Sequence, residues 1–381
     1  MHKLITASMN EQLDDLLSRL CIELAITDSQ YTRAVSAYSA LGNWIADEDG
    51  PLDRFQPRVF AQGSIPLGTT VKPRRREEFD ADLVCVFQRD FDRLAPHQVY
   101  DLVMNRVLEH DTYRPMVEPC DRCIRLNYEN QFHLDIVPAV PAPAASATRI
   151  EIPNHTKTTW QHTDPEGFLR WFKSRQIVGR RFVADKRAEV EPMPANGDPE
   201  EKTTLQCVVQ LLKRRRDVHF DGRDDAPKSI LLTTLAGQHY GQELISTDAT
   251  INILQKILAA GQDSTQIPIV MNPSNPGENL ARHWQEDPKA YHAFLDFCLD
   301  FAIGLKRLLT QTDTVKIAQV LQELFDPADG ALVKRAIASF TEDFQKARDA
   351  GEVRMAKGGA LVTAETTARS VSIPKNNFFG D

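Results

Sequence analysis

The sequence predicts an α+β protein in which a mixed-sheet core is followed by a helical lobe. Between residues 55 and 141, short apolar runs alternate with turn residues, as is typical of strands. Beyond residue 163 apolar residues recur at helical spacing, and the pairs Asp164-Pro165 and Asp198-Pro199 predict helix starts. A chain of 381 residues is long enough for two such bodies. We therefore expect N-terminal helices (1–50) that brace both bodies, a core (51–162), a helical lobe (163–350) and a flexible tail (351–381).

Composition narrows the class of protein. At 42% hydrophobic and 26% charged residues, the chain resembles ordinary soluble domains. Apolar runs of the ~18 residues that span a membrane do not occur, and the first residues lack the apolar centre of a signal peptide. Six cysteines in so long a chain are no disulfide framework, which favours the cytoplasm. The net charge of −8 argues against stable, sequence-independent DNA binding.

The centre of the predicted core is the stretch 61–87. It contains a turn at Gly63-Ser64, a basic loop from Lys72 to Arg76, and a strand that opens with Asp80 and Asp82. The period of two in a strand places these two carboxylates on one face, roughly 7 Å apart. The apolar run that follows is typical of a strand buried on both faces. The pattern therefore predicts a site that binds divalent cations.

A third acid strengthens this prediction. Asp135 lies within an apolar strand, 132–137, which Pro138 is expected to end. A buried carboxylate is costly unless it is paired or binds a metal. The structural alternative is an aspartate at the sheet edge, held by Arg125 on the hairpin partner. Three carboxylates on adjacent strands suit two Mg²⁺ ions about 3.5–4 Å apart, with Mn²⁺ as a substitute.

Other polar groups have a functional and a structural interpretation. Ser64 could offer its hydroxyl and backbone N–H groups to a triphosphate, or belong to an ordinary strand-to-helix turn. Basic clusters could converge on a polyphosphate or be solvated faces; they lie at 72–76, 180–181 and 213–216. Cys120-x-x-Cys123 is half of a zinc knuckle, with His133 or His110 as conceivable partners, but without a second cysteine pair structural cysteines are favoured.

Taken together, Gly63-Ser64, Asp80-x-Asp82 and Asp135 resemble the signature of the DNA polymerase β-like nucleotidyltransferase superfamily. Within it, the stretches 62–73 and 78–84 resemble the bacterial CD-NTases, relatives of cyclic GMP-AMP synthase and oligoadenylate synthase, and are most like clade D. Three later segments extend the resemblance over roughly residues 10 to 350: Leu211-Leu212-Lys213-Arg214, the run 228–236 that contains Ser229, and the Asn-Pro…Glu-Asn motif at 272–281.

This resemblance implies a polymerase β-like fold with its active site in the cleft between the lobes. It implies a Mg²⁺-dependent synthase that makes a cyclic oligonucleotide second messenger for anti-phage, CBASS-type defence. An adenine-containing cyclic tri- or dinucleotide is expected, made from ATP, with GTP as a second substrate. By resemblance, the catalytic and metal-binding residues are Asp80, Asp82 and Asp135, and the nucleotide-binding residues are Gln62, Gly63, Ser64, Lys213 and Ser229.

Partners and rival functions are also implied. Related enzymes can be conjugated through their C-terminus by a ubiquitin-transfer-like partner, and Phe378-Phe379-Gly380 resembles such an end, although Asp381 follows the glycine. The alternative is an ordinary terminal segment. A regulatory or sensor partner is also expected. The rival functions are a template-free adenylyltransferase that makes linear oligoadenylate or modifies RNA or protein, and a catalytically silent scaffold that senses nucleotides.

Overall fold

The computed structural model describes most of the chain, and the account that follows is of that part. The described residues are 9–74, 78–129, 131–143, 147–154, 156–176, 193, 202–263, 266–311, 313–349, 353–355, 361–363 and 371–372.

Two helices open the structure, as predicted: α1 (Met9–Leu24) and α2 (Asp28–Ile45). Thr27 caps α2 through its side chain, and Gln30 completes a capping box. The leucines of α1 belong to the core of the helical lobe, whereas Tyr38, Leu41 and Ile45 of α2 belong to the core under the sheet. The two N-terminal helices therefore pack against different bodies.

A seven-stranded mixed sheet forms the core, which confirms the predicted fold class. Its strands are β1 (Pro57–Gln62), β2 (Phe79–Phe87), β3 (Val117–Pro119), β4 (Ile124–Tyr128), β5 (Phe132–Pro141), β6 (Ile150–Pro153) and β7 (Trp160–Thr163). The order is β1-β2-β5-β4-β3, while β6 pairs with β5 and with β7. Only the β2–β5 pair is parallel among these described strands. Two helices connect the strands, α3 (Ser64–Leu67) and α4 (Pro96–Leu108).

The two faces of the sheet differ in polarity. One face is apolar along its length and packs against α2 and α4, with Ala81, Leu83 and Leu134 fully buried. The opposite face carries a smaller apolar cluster that includes Val84 and Val86. Residues two apart in a strand share a face, so Asp80 and Asp82 lie on this same face, at its other end. The sheet therefore presents its acidic end to the helical lobe.

Strand β5 is longer than predicted, since Pro138 does not end it. Pro138 pairs with Cys85 of β2, and β5 continues to Pro141. On the other edge, pairing with β4 stops at Ile136 and pairing with β6 begins at Val140. A proline lacks the N–H that a ladder needs, and it is tolerated here because it lies in the gap between two partner strands.

The helical lobe contains α5 (Pro165–Arg175), α6 (Thr204–Phe220), α7 (Ser229–His239), α8 (Ser246–Asp263), α9 (Arg282–Glu286), α10 (Pro288–Leu309), α11 (Thr314–Phe325) and α12 (Ala331–Asp349). The hairpin β8 (Met271–Asn272) and β9 (Asn275–Asn279) lies between α8 and α9. Asp164 caps α5 as predicted, with Oδ1 accepting from Gly167 N at 2.8 Å. The predicted start at Asp198-Pro199 lies outside the described residues.

Three short strands lie within the segment predicted to be a flexible tail. They are β10 (Val353–Met355), β11 (Leu361–Thr363) and β12 (Val371–Ser372), in the order β11-β10-β12. The end of the chain, 373–381, is outside the described part. Among the helices described above, none combines the length and the apolar character needed to cross a bilayer.

Candidate active site

A cleft with a cavity of about 610 Å³ separates the acidic end of the sheet from α5, α6 and α7. Both bodies contribute to its walls. Every residue that the sequence singled out as a site residue lines this cavity: Gln62, Gly63, Ser64, Asp80, Asp82, Asp135, Lys213 and Ser229. The structure therefore brings together residues that are separated by up to half the chain.

Strand register places the three carboxylates side by side. Asp82 of β2 lies directly opposite Asp135 of β5 in the parallel ladder, and Asp80 lies opposite His133. Asp80 is exposed, Asp82 is half-buried and Asp135 is buried. Because positions 80 and 82 alternate with the buried Phe79 and Ala81, both acids face the cleft.

The surroundings of Asp82 favour its protonated form. Burial, followed by the negative charges of Asp135 and Asp80, raises its pKa to about 7. Gly63 lets this carboxylate approach the turn, because a Cβ there would lie 2.3 Å from Asp82 Oδ2. Gly63 also has φ of +75°, which a glycine adopts without strain. The glycine before the serine is therefore required both by the backbone and by the neighbouring acid.

Asp135 is held by Arg125, as the structural alternative predicted, but the predicted position at the sheet edge is wrong, because β5 lies between β2 and β4. Arg125 Nε donates to Asp135 Oδ1 at 2.7 Å, and Nη2 donates to Oδ2 at 2.8 Å. The same guanidinium reaches Asp80 Oδ1 at 3.4 Å. Asp135 nonetheless raises the pKa of Asp82, so its charge is also felt by the neighbouring acid. Asp135 is thus paired with an arginine and, at the same time, lies near the other two acids.

The donor chemistry of this cluster fits Mg²⁺. Three carboxylates supply the hard oxygen ligands that Mg²⁺ prefers. A divalent cation would counter both the burial and the charge repulsion that raise the pKa of Asp82. As placed, no three acidic, cysteine or histidine side chains of the described residues form a ready ligand set.

The Gly-Ser turn continues into the short helix α3, of which Ser64 is the first residue. Ser64 Oγ accepts a hydrogen bond from Thr70 Oγ1 at 3.3 Å, and Ser64 O accepts from Thr69 N at 3.0 Å. Gly68 ends α3 in the left-handed conformation, with φ of +68°. Thr70 therefore holds the hydroxyl of Ser64, and Thr69 holds its carbonyl oxygen.

Lys213 faces the same turn from α6. It is buried, and Nζ donates to Thr69 O at 3.1 Å and to Thr69 Oγ1 at 3.2 Å. Burial, and then the positive charge of Arg216, lower the pKa of Lys213 to about 7. An ammonium group has three donors, and an anionic ligand in the cleft would stabilise its charged form.

Ser229 is the first residue of α7, and its hydroxyl accepts from Arg216 Nη1 at 2.8 Å. Arg216 also donates to Asp217 Oδ1 and to Pro227 O, and it lines the cavity. Sequence analysis did not single out Arg216, although it belongs to the basic cluster 213–216. The other cations of that cluster diverge: Arg214 donates to Lys72 O and Arg215 to Asp300.

The basic loop has a structural function in its described part. Lys72 N and Nζ donate to Leu24 O at 2.7 Å and Glu23 O at 3.0 Å, at the end of α1. Arg74 donates to Asp217 O and to Asp221 Oδ1 at the end of α6. These two cations therefore satisfy carbonyl groups at helix C-termini. Residues 75 and 76 lie outside the described part.

The Asn-Pro…Glu-Asn motif holds the junction between the sheet and the helical lobe. Asn275 Nδ2 donates to His162 O at 2.8 Å, and Ser274 Oγ donates to Asp164 O at 3.0 Å. Asn272, which lines the cavity, donates to Glu278 Oε2 at 2.8 Å. The motif thus fixes one wall of the cleft, where β7 leads into α5.

The Cys120–Cys123 segment forms a tight turn, in which Cys120 N donates to Cys123 O at 3.0 Å. The hydroxyl of Tyr100 donates to the carbonyl oxygens of both cysteines. Of the conceivable zinc partners, His133 contacts Glu78 and Asp80, and His110 stacks on Tyr113. Hydrogen bonds thus hold this turn.

A mixed sheet that carries Asp-x-Asp and a third aspartate on the parallel neighbour, behind a Gly-Ser turn, defines a nucleotidyltransferase fold. Residues 9–176 match the family model of the Second Messenger Oligonucleotide or Dinucleotide Synthetase domain. The chain is 31% identical to a c-di-GMP synthase of Roseivirga ehrenbergii, over 99% of this chain and 100% of the relative. The chain belongs to the CD-NTases, the family of second messenger oligonucleotide or dinucleotide synthetases.

Solved structures agree in fold. The chain is 24% identical to the cyclic dinucleotide synthase CdnG of Bradyrhizobium diazoefficiens, over 93% of this chain and 89% of the relative. The structure of CdnG in complex with GTP superposes with a TM-score of 0.70 at 23% identity, covering 86% of this chain and 97% of that one. CdnC of E. coli MS115-1, in its complex with HORMA-deltaN, gives a TM-score of 0.59 at 14% identity, over 81% and 94% of the two chains.

Proposed function

We propose that this protein makes a cyclic dinucleotide second messenger in a Mg²⁺-dependent reaction, with GTP as its main substrate. The observation that carries the proposal is the cleft itself, where Asp80, Asp82 and Asp135 face Lys213 and Ser229 of the helical lobe. Carboxylates on one wall and a lysine on the other suit a metal-bound triphosphate between them. The name of the c-di-GMP synthase supports a guanine dinucleotide, the name of CdnG supports a cyclic dinucleotide, and the structure of CdnG with GTP supports GTP as a substrate. They do not support the adenine-containing product expected from sequence.

The reaction would join a ribose hydroxyl to the α-phosphate of an NTP. A new P–O bond forms, the bond to the β-phosphate breaks, and pyrophosphate leaves. Asp80, Asp82 and Asp135 would hold two Mg²⁺ ions, and Asp135 would accept the proton of the attacking hydroxyl. When bound, Mg²⁺ would acidify that hydroxyl and neutralise charge on the leaving pyrophosphate. A second such transfer within the linear dinucleotide would close the ring.

The residues of the cleft would orient the triphosphate. Lys213 would donate to it from α6, while Ser64 would donate from the turn at the end of β1. Ser229 would support it from α7, together with the neighbouring Arg216. Gln62 and Gly63 would form the wall beside Asp82, where the register pairs Gln62 with that acid. The triphosphate would thus be held from both bodies, which orients its α-phosphate towards the carboxylates.

Product analysis tests the proposal. Incubation with the four NTPs and Mg²⁺ should give pyrophosphate and a product with the mass of a cyclic dinucleotide. Phosphatase should leave that product unchanged, whereas linear oligoadenylate would lose its terminal phosphates. The double variant Asp80→Asn with Asp82→Asn should release no pyrophosphate, and Asp111→Asn, at an exposed acid (93% exposed side chain), serves as the matched control. Synthesis that persists in the double variant would refute the mechanism.

We further propose a cytoplasmic role in CBASS-type anti-phage defence with a regulatory partner. The complex of CdnC with HORMA-deltaN supports a protein partner for an enzyme of this fold. Conjugation through the C-terminus by a ubiquitin-transfer-like partner stays a prediction, because residues 373–381 lie outside the described part. Deletion after Lys375 should abolish conjugation and leave synthesis in vitro intact. Loss of synthesis in that deletion would contradict a purely conjugating role.

A further inference from the structure

Arg125 and His133 lie beside the carboxylates of the cleft, and the strand register places both of them. Arg125 of β4 is directly opposite Asp135, and His133 of β5 is directly opposite Asp80. Arg125 and Asp135 face each other in an antiparallel pair, in which Cβ atoms lie about 4.5–5.5 Å apart. The parallel register of β2 and β5 likewise sets His133 beside Asp80. Sequence analysis considered Arg125 as an alternative to a metal at Asp135 and considered His133 as a zinc partner.

The contact between Arg125 and Asp135 is a bidentate pair. Two nitrogens of the guanidinium donate to the two carboxylate oxygens, at 2.7 and 2.8 Å. Such a fork fixes the plane of the carboxylate as well as its position. A carboxylate offers about four lone pairs, so two remain for a cation after the fork is made. Arginine pairing and metal binding at Asp135 are therefore compatible.

His133 also contacts a carboxylate of the cleft, that of Asp80. His133 Nδ1 lies 3.2 Å from Asp80 Oδ1, and Nε2 lies 2.8 Å from Glu78 Oε2. The imidazole thus links the exposed Asp80 to a second acid on the same side of the cleft. Without such a link, an exposed carboxylate samples several orientations, and each lost rotamer costs free energy when a ligand binds.

We propose that Arg125 is a positioning residue that holds Asp135 in its metal-binding orientation, and that His133 does the same for Asp80. The proposal rests on the proposed function, since it requires the three carboxylates to bind a divalent cation. Hydrogen bonds from outer residues commonly orient metal-binding carboxylates, and their loss weakens metal binding by about 10- to 100-fold. The opposite effect, in which Arg125 competes with the metal for Asp135, predicts tighter binding once the arginine is removed.

Mn²⁺ binding tests this proposal without measuring activity. Binding is measured as the loss of the free Mn²⁺ signal in electron paramagnetic resonance. The variants are Arg125→Gln, Arg125→Lys and His133→Gln. Arg122→Gln is the matched control, because Arg122 is exposed in the adjacent turn and carries the same charge. Asp82→Asn gives the baseline of a damaged site, and circular dichroism confirms that each variant is folded.

We expect the Kd for Mn²⁺ to rise about tenfold or more in Arg125→Gln, with Arg122→Gln unchanged. Arg125→Lys should resemble Arg125→Gln, because an ammonium cannot form the planar fork. His133→Gln should show a smaller rise and also reports on the proposal if the arginine variants do not fold. Unchanged or tighter binding in Arg125→Gln would overturn the proposal. Equal binding by wild type and Asp82→Asn would overturn the proposed metal site as well, which separates the two failures.

Discussion

Replacing Asp82 with asparagine should stabilise the metal-free protein while it removes activity. In the native structure, burial and the charges of Asp135 and Asp80 raise the pKa of Asp82 from 3.8 to about 7. Such a carboxylate is less stable ionised in the folded chain than in the unfolded chain. Asparagine keeps nearly the same shape without the charge, so it removes that cost.

The size of the effect follows from the pKa. A rise from 3.8 to about 7 corresponds to about 4 kcal/mol as an upper limit, at 1.36 kcal/mol per pH unit. Solvent at the half-buried side chain and relaxation of the cleft reduce this, and we expect a gain of about 1–2 kcal/mol. Because the pKa of Asp82 is raised in the folded chain, the pH dependence of this gain in stability is also determined. The gain should be small below about pH 4, grow as the pH rises towards 7, and stay constant above that.

Urea unfolding in EDTA at several pH values between 4 and 8 measures this difference. Asp111→Asn, at an exposed acid, is the control and should change the free energy of unfolding by less than about 0.5 kcal/mol. Addition of Mg²⁺ should reverse the order, because wild type would gain binding energy that Asp82→Asn cannot. A stability difference that does not vary with pH would refute the argument from desolvation and charge repulsion.

Three further substitutions test the cleft. Gly63→Ala places a Cβ 2.3 Å from Asp82 Oδ2 and should lower kcat at least about tenfold. Gly222→Ala is its control, because Gly222 also has a positive φ, +87°, but no atom lies within 4 Å of the added Cβ, so kcat should be retained. Lys213→Met should raise KM for GTP by about 10- to 100-fold through loss of a charged donor, and an unchanged KM would place the triphosphate elsewhere. Gln210→Leu leaves Thr70 O without its donor and should cost about 1–3 kcal/mol in urea unfolding, which an unchanged midpoint would contradict.

Local sequence patterns were sufficient to predict the acidic end of the sheet. The period of two in a strand places Asp80 and Asp82 on one face, and the structure keeps them there. The hairpin that pairs the strand of Arg125 with the strand 132–137 was also predictable, and it places Arg125 beside Asp135. The distance in sequence between Asp82 and Asp135 was not an obstacle, because an acid inside an apolar strand is informative wherever its partners lie.

Contacts between distant segments could not be predicted in this way. Pro138 was expected to end β5, but whether a proline is tolerated depends on where the neighbouring strands stop. The sequence left open whether the cluster 213–216 converges on one ligand or is solvated, and in the structure its members contact three regions. Lys213 and Arg214 contact the segment 69–72, whereas Arg215 contacts Asp300 and Arg216 contacts Ser229. A helix turns by about 100° per residue, so four consecutive cations cannot share one target. Their separate partners depend on tertiary packing, which composition does not encode.

The contacts along α6 link a lysine of the helical lobe to a serine at the end of β1, the two residues that we propose to bind one triphosphate. Four residues of α6 donate to the backbone of the segment that follows Ser64: Gln206 to Leu67 O, Gln210 to Thr70 O, Lys213 to Thr69 O and Arg214 to Lys72 O. Residues at this helical spacing form one stripe, so a rigid helix holds the whole segment at once. Thr70 in turn donates to the Ser64 hydroxyl. Ser64 and Lys213 are therefore positioned by the same set of hydrogen bonds, and a change in the register of α6 would displace both of the proposed phosphate contacts together.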